Sequence, residues 1–303
     1  MNIKPKMLIT GGSGFTGMHA CRYFHNAGFE VTAVSRKNSC SKDVDWYTEQ
    51  CDLLERKDVN RLLRKLCPDY VLHLAAQNHV GKSWADPVLS VESNVLGTLY
   101  LLEALRQINP ACKIIVLGSA LQFNPNNISE LPHPYSLSKS LQVLVAQAWE
   151  TLFGMNIVIA KPSNLIGPGY SNGVCSVFAQ KIVEMERKIG NNVLEVSNLN
   201  ARRDFLDVRD AVRGYHFLFN YANAGEIYEI ATGNTLSLEE VINKFKLYSN
   251  AEFTISSKEV CEEDIVRGCP DKIIKLGWQP LISYDESLSC ILNFYRKLNE
   301  DYI

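Results

Sequence analysis

The sequence has no C-x-x-C pair, no block of like charges and no large charge excess: 31 Lys and Arg stand against 33 Asp and Glu, for a formal net charge of −2. The near balance gives no bulk attraction for a polyanion, and without a charged block there is no nucleic-acid-binding arm to propose. Nine cysteines without paired spacing argue against a zinc motif or a disulfide framework. Scattered thiols of this kind suit a reducing, cytoplasmic setting. No apolar run is expected to reach membrane-spanning length. The opening Met1–Lys6 leads straight into an expected strand and lacks the apolar stretch of a signal peptide. No internal repeat, linker or low-complexity segment interrupts the chain. No metal, membrane or nucleic-acid partner is therefore expected.

What is present is apolar and periodic. Hydrophobic residues make up 46% of the 303 positions, enough for a sizeable core. Short runs such as Met7–Thr10, Glu30–Val34, Tyr70–Ala75, Lys113–Gly118 and Asn156–Ala160 read as strands buried on both faces. Between them, 18–27, 55–66, 90–107 and 135–153 read as helices. Strand and helix in alternation imply an α/β fold, a Rossmann-type doubly wound parallel sheet. The regular pattern lasts to about residue 162. Beyond it the chain becomes rich in Gly, Asn and Ser. A dinucleotide-binding domain is expected over 1–162, with 204–232 returning to it, and a smaller substrate lobe over 163–303.

Gly11, Gly14 and Gly17 recur every third residue between the first strand and the first helix. A turn without Cβ atoms lets the backbone approach a pyrophosphate, and the helix start adds free N–H groups and a positive dipole end. The context, more than the string, makes the motif specific. A carboxylate closing the second strand would bind the ribose 2′-OH of NAD. That strand instead ends Ser35-Arg36-Lys37, a hydroxyl and two cations suited to a 2′-phosphate, so NADP(H) is favoured over NAD(H). Asp52, after the third strand, is placed to accept from the adenine amino group.

Tyr135 and Lys139 lie four apart near the start of a helix and share a face; Pro132 and Pro134 help set that start. A free phenol titrates at about pH 10, and a nearby ammonium together with an oxidised nicotinamide lowers that value. Such a tyrosine passes a proton to or from a substrate oxygen while hydride moves at carbon. Ser119 follows a strand end, where its hydroxyl would bond the same oxygen. His73 reads as a satisfied core residue. Cys175 reads as a small buried filler, or else as an acid or base of a two-carbon epimerisation. His79 and Ser83, after the fourth strand, sit where such sheets bind ligands. Trp278 reads as a packing anchor.

With these pieces in place, the chain resembles the extended short-chain dehydrogenase/reductases that act on nucleotide sugars. The matching strings are TGGSGFTG at 10–17, HLAAQ at 73–77, SNVLGT at 93–98, VLGSA at 116–120, YSLSK at 135–139, SNLIGPG at 163–169, RRDFLDVRD at 202–210 and LGWQP at 276–280. HLAAQNHVGKSW and NLNARRDFLDVRD look most like the GDP-6-deoxy-4-keto-mannose reductases and the related GDP-mannose 4,6-dehydratases. The resemblance implies a catalytic set of Ser119, Tyr135 and Lys139. The expected dinucleotide contacts are Gly11, Gly14, Phe15, Thr16, Gly17, Ser35, Arg36, Asp52, Leu53, Leu74, Ala75, Ala76, Gln77, Tyr135, Lys139 and Pro162. The expected substrate contacts are His79, Ser83, Ser119, Asn164, Arg203 and Arg267, with Asn164 near the phosphates and the Arg203 fork on the diphosphate or nucleotide. A homodimer packed through 90–107 and 135–153 is implied as well.

The departures are informative. Dehydratases resembling this chain carry an acid directly after the serine, whereas Ala120 and Leu121 stand here. The usual Tyr-Gly pair is Phe123-Asn124, and the stretch from Ser119 to Tyr135 is short. An expected Arg-Pro pair is Val260-Cys261, which leaves Lys258 or Arg267 as substitutes. The expectation is NADPH-dependent reduction of the C4 keto group of an NDP-4-keto-6-deoxyhexose, GDP- or UDP-linked, in deoxysugar biosynthesis, with Tyr135 as proton donor. The alternatives are an NAD-dependent nucleotide-sugar 4-epimerase and, after it, a sugar 4,6-dehydratase. A dinucleotide-binding regulator without catalysis leaves the Ser, Tyr and Lys set unexplained.

Overall fold

A computed structural model describes residues 4–36, 44–257 and 264–298. Lys37, Lys258, Val260 and Cys261, all named above, lie outside the described residues. In chain order the first elements are β1 (Lys6–Thr10), α1 (Phe15–Asn26), β2 (Glu30–Ser35), β3 (Tyr47–Gln50), α2 (Arg56–Leu66), β4 (Tyr70–His73), α3 (Val80–Ala85) and α4 (Pro87–Val91). A π-helical turn, Glu92–Leu96, leads into α5 (Gly97–Ile108), followed by β5 (Lys113–Leu117), a 3₁₀ turn at Ile128–Glu130, α6 (Pro134–Phe153), β6 (Ile157–Pro162) and β7 (Asn164–Ile166). Then come α7 (Val174–Glu186), β8 (Val193–Val196), β9 (Arg202–Arg203), β10 (Phe205–Asp207), α8 (Val208–Tyr221), β11 (Ile227–Ile230) and β12 (Leu236–Ser237). The last are α9 (Leu238–Tyr248), β13 (Thr254–Ser257), β14 (Ile265–Val266), α10 (Asp271–Lys275) and α11 (Tyr284–Leu298).

The chain divides into two compact units, residues up to Lys161 with Val212–Tyr228, and Pro162–Ala211 with Glu229 onward. The segment joining the first unit late in the chain is thus shorter than 204–232. The first unit is built on a seven-stranded sheet of order β11-β6-β5-β4-β1-β2-β3. The strand pairs from β3 to β6 are all parallel. Their central residues are buried because helices cover both faces of such a sheet; Leu8, Ile9, Val71, Leu72, Ile115 and Ile159 are essentially inaccessible. The chain runs outward from β1 to β3, then returns to place β4 on the other side of β1. That reversal opens a crevice at the carboxyl ends of β1 and β4, where open α/β sheets bind ligands. Register places Thr10 opposite His73, and His73 opposite Val116, in one row.

In the second unit, β7 pairs in parallel with β10, β9 lies between β12 and β14, and β8 pairs with β13. Helices α7, α9 and α11 enclose a core of Phe178, Ile182, Ile242, Phe245, Ile291 and Leu292. A capping box closes the start of α9, where Ser237 and Glu240 bond each other's backbone N–H groups. Cys175 is buried in this core, with its thiol pushed up to about 12 by burial, as befits a filler. Trp278 is buried too.

Three expectations need correction. The fourth strand stops at His73 rather than Ala75, so Leu74–Gln77 leaves the sheet and rims the crevice. The helix expected over 90–107 begins at Pro87 and contains the π turn, which no 3.6-residue periodicity reveals. Pro87–Ile108 is also long and apolar enough, by length and composition alone, to cross a membrane. A core helix passes the same test, and Leu101, Leu102 and Leu105 of this one are wholly buried.

His73 is fully buried, with Nδ1 2.7 Å from Thr10 Oγ1 and Nε2 2.8 Å from Thr98 Oγ1. Burial pushes its pKa down to about 3 from an ordinary 6.5. Between those values the unfolded chain binds a proton that the folded chain refuses, so stability falls as pH falls. We predict that acidification from about pH 6.5 toward 4 destabilises the protein by up to roughly tenfold in the folding equilibrium per pH unit. In His73→Gln, urea unfolding across that range should show a shallower dependence. An identical slope in the variant would remove His73 as the cause.

Candidate active site

The glycine turn follows from local sterics. Gly11 has φ +68°, and a Cβ there would lie 2.9 Å from Ala75 N. A Cβ on Gly17 would lie 2.2 Å from Gly11 O, and one on Gly12 2.6 Å from the Ala33 Cβ. Gly11 and Gly17 therefore let the turn fold back on itself. Gly12, absent from the expected set, lets it sit on β2. Gly14 differs: it is exposed, and a Cβ there would meet only Gly11 O, at 3.2 Å. It caps α1 without a side-chain bond. The first N–H groups of α1, at Phe15, Thr16 and Gly17, thus start a helix whose dipole faces the crevice. A backbone cradle with an uncapped helix start fits a dinucleotide pyrophosphate.

Around the turn, Ala75 N donates to Thr10 Oγ1 (3.1 Å), which fixes the loop Leu74–Ala75–Ala76–Gln77 against the end of β1. Gln77 is clamped at both ends. Its backbone N–H donates to Asn94 Oδ1 (2.7 Å), and its O accepts from Asn94 Nδ2 (3.0 Å). The π turn makes this clamp by turning the fully buried Asn94 inward, where it also donates to Ser138 Oγ. Ser35 ends β2 and Arg36 follows it; Arg36 is exposed, and its carbonyl accepts from Gln50 Nε2. Leu53 is buried, while the carboxylate of Asp52 accepts from Leu54 N (3.0 Å) and shapes its own turn.

Helix α6 carries the redox candidates. Pro134 opens it, and the His133 ring caps it by accepting from Ser136 N (3.0 Å). His133 lies 5.9 Å, centroid to centroid, from the ring of Tyr135; only its place before Pro134 marked it in the sequence. The Tyr135 hydroxyl donates to Ser119 Oγ at 3.4 Å. Ser119 in turn accepts from Leu121 N (3.1 Å), so the two residues after the serine form a turn and present no carboxylate. Burial raises the Tyr135 pKa, and the Ser119 hydrogen bond opposes it. Lys139 does not lower it directly as expected. Its Nζ points inward and donates to Leu117 O and Gln142 Oε1, each at 2.6 Å.

Other expected contacts are placed as follows. His79 is exposed and caps α3, with Nδ1 accepting from Lys82 N (3.2 Å). Ser83 is fully buried, its hydroxyl donating to Val80 O (2.7 Å) rather than facing the crevice. In the second unit, which Pro162 begins, the Asn164 side chain donates to Asp204 O (3.0 Å). The Arg203 fork is held by the Asp264 carboxylate and backbone carbonyls, a pairing across 61 residues that local pattern does not reveal. Arg267 is exposed and donates from Nε to Gly233 O (2.6 Å).

A model of the NAD dependent epimerase/dehydratase family matches residues 7–231. The chain belongs to that family. It is therefore an enzyme that uses a nicotinamide dinucleotide on nucleotide sugars. It is 29% identical to the GDP-6-deoxy-D-mannose reductase of Pseudomonas aeruginosa, over 95% of this chain and 96% of that one. It is 28% identical to the CDP-paratose 2-epimerase of Salmonella typhi, over 92% and 95%. The structure of RMD from Pseudomonas aeruginosa complexed with NADPH superposes with a TM-score of 0.84 at 28% identity, covering 97% of this chain and all of the other.

Gly17→Ala tests the cradle. The added methyl has 2.2 Å to Gly11 O, so the turn must open. Dinucleotide affinity, read by calorimetry, should fall at least about tenfold. Gly28→Ala, where a Cβ meets nothing within 4 Å, should leave binding unchanged. Equal losses in both would show that the turn is not the site.

Proposed function

We propose that this enzyme reduces the C4 keto group of a GDP- or UDP-linked 4-keto-6-deoxyhexose, with NADPH as the hydride donor. The observation that carries this reading is the turn after Ser119: Ala120 and Leu121 place no carboxylate beside the Ser119–Tyr135 pair, and elimination of water needs an acid and a base at the sugar. The 29% identity to a GDP-6-deoxy-D-mannose reductase over nearly the whole chain supports it.

Bound in the glycine cradle, the dinucleotide supplies the hydride. The protein manages the proton and the geometry. Ser119 Oγ, within hydrogen-bond reach of the phenol, polarises the substrate carbonyl. Tyr135 gives the developing alkoxide its proton. Reduction needs a neutral phenol at the start, and burial, which raises the Tyr135 pKa, keeps it neutral. Lys139 holds the cofactor ribose and restores the phenol proton after turnover. Asn164, Arg203 and Arg267 are proposed to contact the nucleotide sugar. Arg36, exposed just past β2, takes the 2′-phosphate. A homodimer in a cytoplasmic setting completes the proposal.

Incubation with NADPH and GDP- or UDP-4-keto-6-deoxyhexoses should consume NADPH, measured by its near-ultraviolet absorbance. Tyr135→Phe should lose at least about 100-fold in kcat. No consumption with either sugar nucleotide, while tightly bound NAD copurifies and a 4-epimer accumulates, would replace the reductase with the epimerase.

Arg36→Glu should reverse the cofactor preference. KM for NADPH should rise at least about tenfold while KM for NADH changes little, because a carboxylate repels a 2′-phosphate and accepts from a ribose 2′-OH. A preference for NADH in the unaltered enzyme would overturn the NADP(H) assignment.

A further inference from the structure

A hydrogen-bonded chain of fully buried side chains runs from α6 to the glycine turn. Lys139 Nζ donates to Gln142 Oε1 (2.6 Å), and Gln142 Nε2 donates to Thr98 Oγ1 (2.8 Å). Thr98 donates its only hydroxyl proton to Asn94 O (2.7 Å). The contact between Thr98 and His73 Nε2 at 2.8 Å must then run from the ring, so His73 carries its proton on Nε2. His73 Nδ1 accepts from Thr10, whose oxygen accepts in turn from Ala75 N. Each hydrogen bond of the chain has one possible donor, so its direction is determined throughout. Such a network rigidifies its members because an unpaired buried polar group is expensive.

We propose that Gln142 is a positioning residue: it holds the Lys139 side chain through an uncharged acceptor and anchors it, by way of Thr98 and His73, to Thr10 at the edge of the glycine turn. The proposal rests on the reading of Lys139 as part of the reducing set. An amide oxygen accepts equally from an ammonium and from a neutral amine. Both forms satisfy Gln142 and Leu117 O with two N–H groups, and the ammonium keeps a third for a ligand. The lysine is thereby held without its proton being fixed in place. A carboxylate at 142 would pin that proton.

The surroundings leave this control to position 142. Lys139 is wholly buried, and burial lowers its pKa to about 7. Its titratable neighbours are Tyr135, one turn earlier on α6, and His73 on β4. The charged residues on the other elements packed against α6 are Lys82 of α3, Glu92 of the π turn, Glu103 and Arg106 of α5, and Lys113 of β5. None contributes a resolved pull on Lys139. Glu103 is engaged by Arg106, Gln107 and Trp149.

The test uses the full chain without ligand, labelled with carbon-13 at lysine Cε, in which the Lys139 signal is the one missing from Lys139→Met. In the unaltered protein it should titrate near pH 7. In Gln142→Glu, which keeps the acceptor and adds a charge, the midpoint should rise by about one unit or more. With substrate and NADPH, Gln142→Met should lose about tenfold or more in kcat with little change in KM for the sugar. Gln142→Glu should recover part of that loss, with the pH profile of kcat displaced upward. An unchanged Lys139 midpoint in Gln142→Glu overturns the proposal, and so does full turnover by Gln142→Met. Should Gln142→Met not fold, the near-isosteric Gln142→Glu decides the matter through its midpoint alone. If Lys139→Met itself reduced substrate at the normal rate, the reductase assignment would fail while the ligand-free titration still tested the coupling.

Discussion

A neutral imidazole sealed between two threonine hydroxyls ties the first unit together at the point where its sheet reverses direction. His73 ends β4, Thr10 ends β1 and Thr98 lies in the first turn of α5, and the ring bonds both hydroxyls at once. The two strands are neighbours only because the chain crosses back after β3. A ring that must stay neutral and donate from Nε2 admits one arrangement of its partners. Thr10 is then oriented to receive Ala75 N, and the loop after β4 is drawn against the glycine turn. The crevice proposed for the pyrophosphate is thus shaped from beneath as well as by its own glycines.

The same constraint reaches the chemistry. Thr98 also receives Gln142, and Gln142 receives Lys139. On the other side, the π turn rotates Asn94 inward, so that one carboxamide clamps Gln77 and reaches Ser138 on α6. A π turn places one extra residue in a helical turn, a device that recurs at functional positions. Here it puts Asn94 and Thr98 on the buried face together, four residues apart, with the Thr98 hydroxyl back-bonded to Asn94 O. Cradle, clamp and lysine are parts of one polar layer lying on an otherwise apolar core.

What was legible in the sequence was local. Gly11, Gly14 and Gly17 recur every third residue between a readable strand and a readable helix, and Tyr135 and Lys139 stand one helical turn apart. Ser119 was singled out because a strand was read to end just before it; β5 ends at Leu117. The illegible parts join distant segments or depend on exceptions to regular periodicity. Gln142 lies one turn past Lys139 and looks like an ordinary helix residue until Thr98, 44 positions earlier, is seen beside it. The π turn leaves no trace in a pattern of apolar residues. Ser83 looked available because it follows a strand, yet α3 buries it. Arg203 looked like a free fork for phosphate, yet Asp264 already holds it.

The local reading of Tyr135 and Lys139 was incomplete about cause. Spacing placed a cation near the phenol and suggested that its charge tunes Tyr135. In the folded chain burial acts on both groups, in opposite senses: it disfavours the phenolate and it disfavours the ammonium. A reductase is well served by that combination. The phenol stays protonated until an alkoxide forms beside it, and the lysine, titrating near neutrality, sits close to the balance point for returning the proton. A dehydratase or an oxidising half-reaction would instead want the phenolate early and a carboxylate nearby. The environment of Tyr135 and the missing acid at Ala120 and Leu121 are separate features, one of burial and one of composition. They favour the same direction of chemistry.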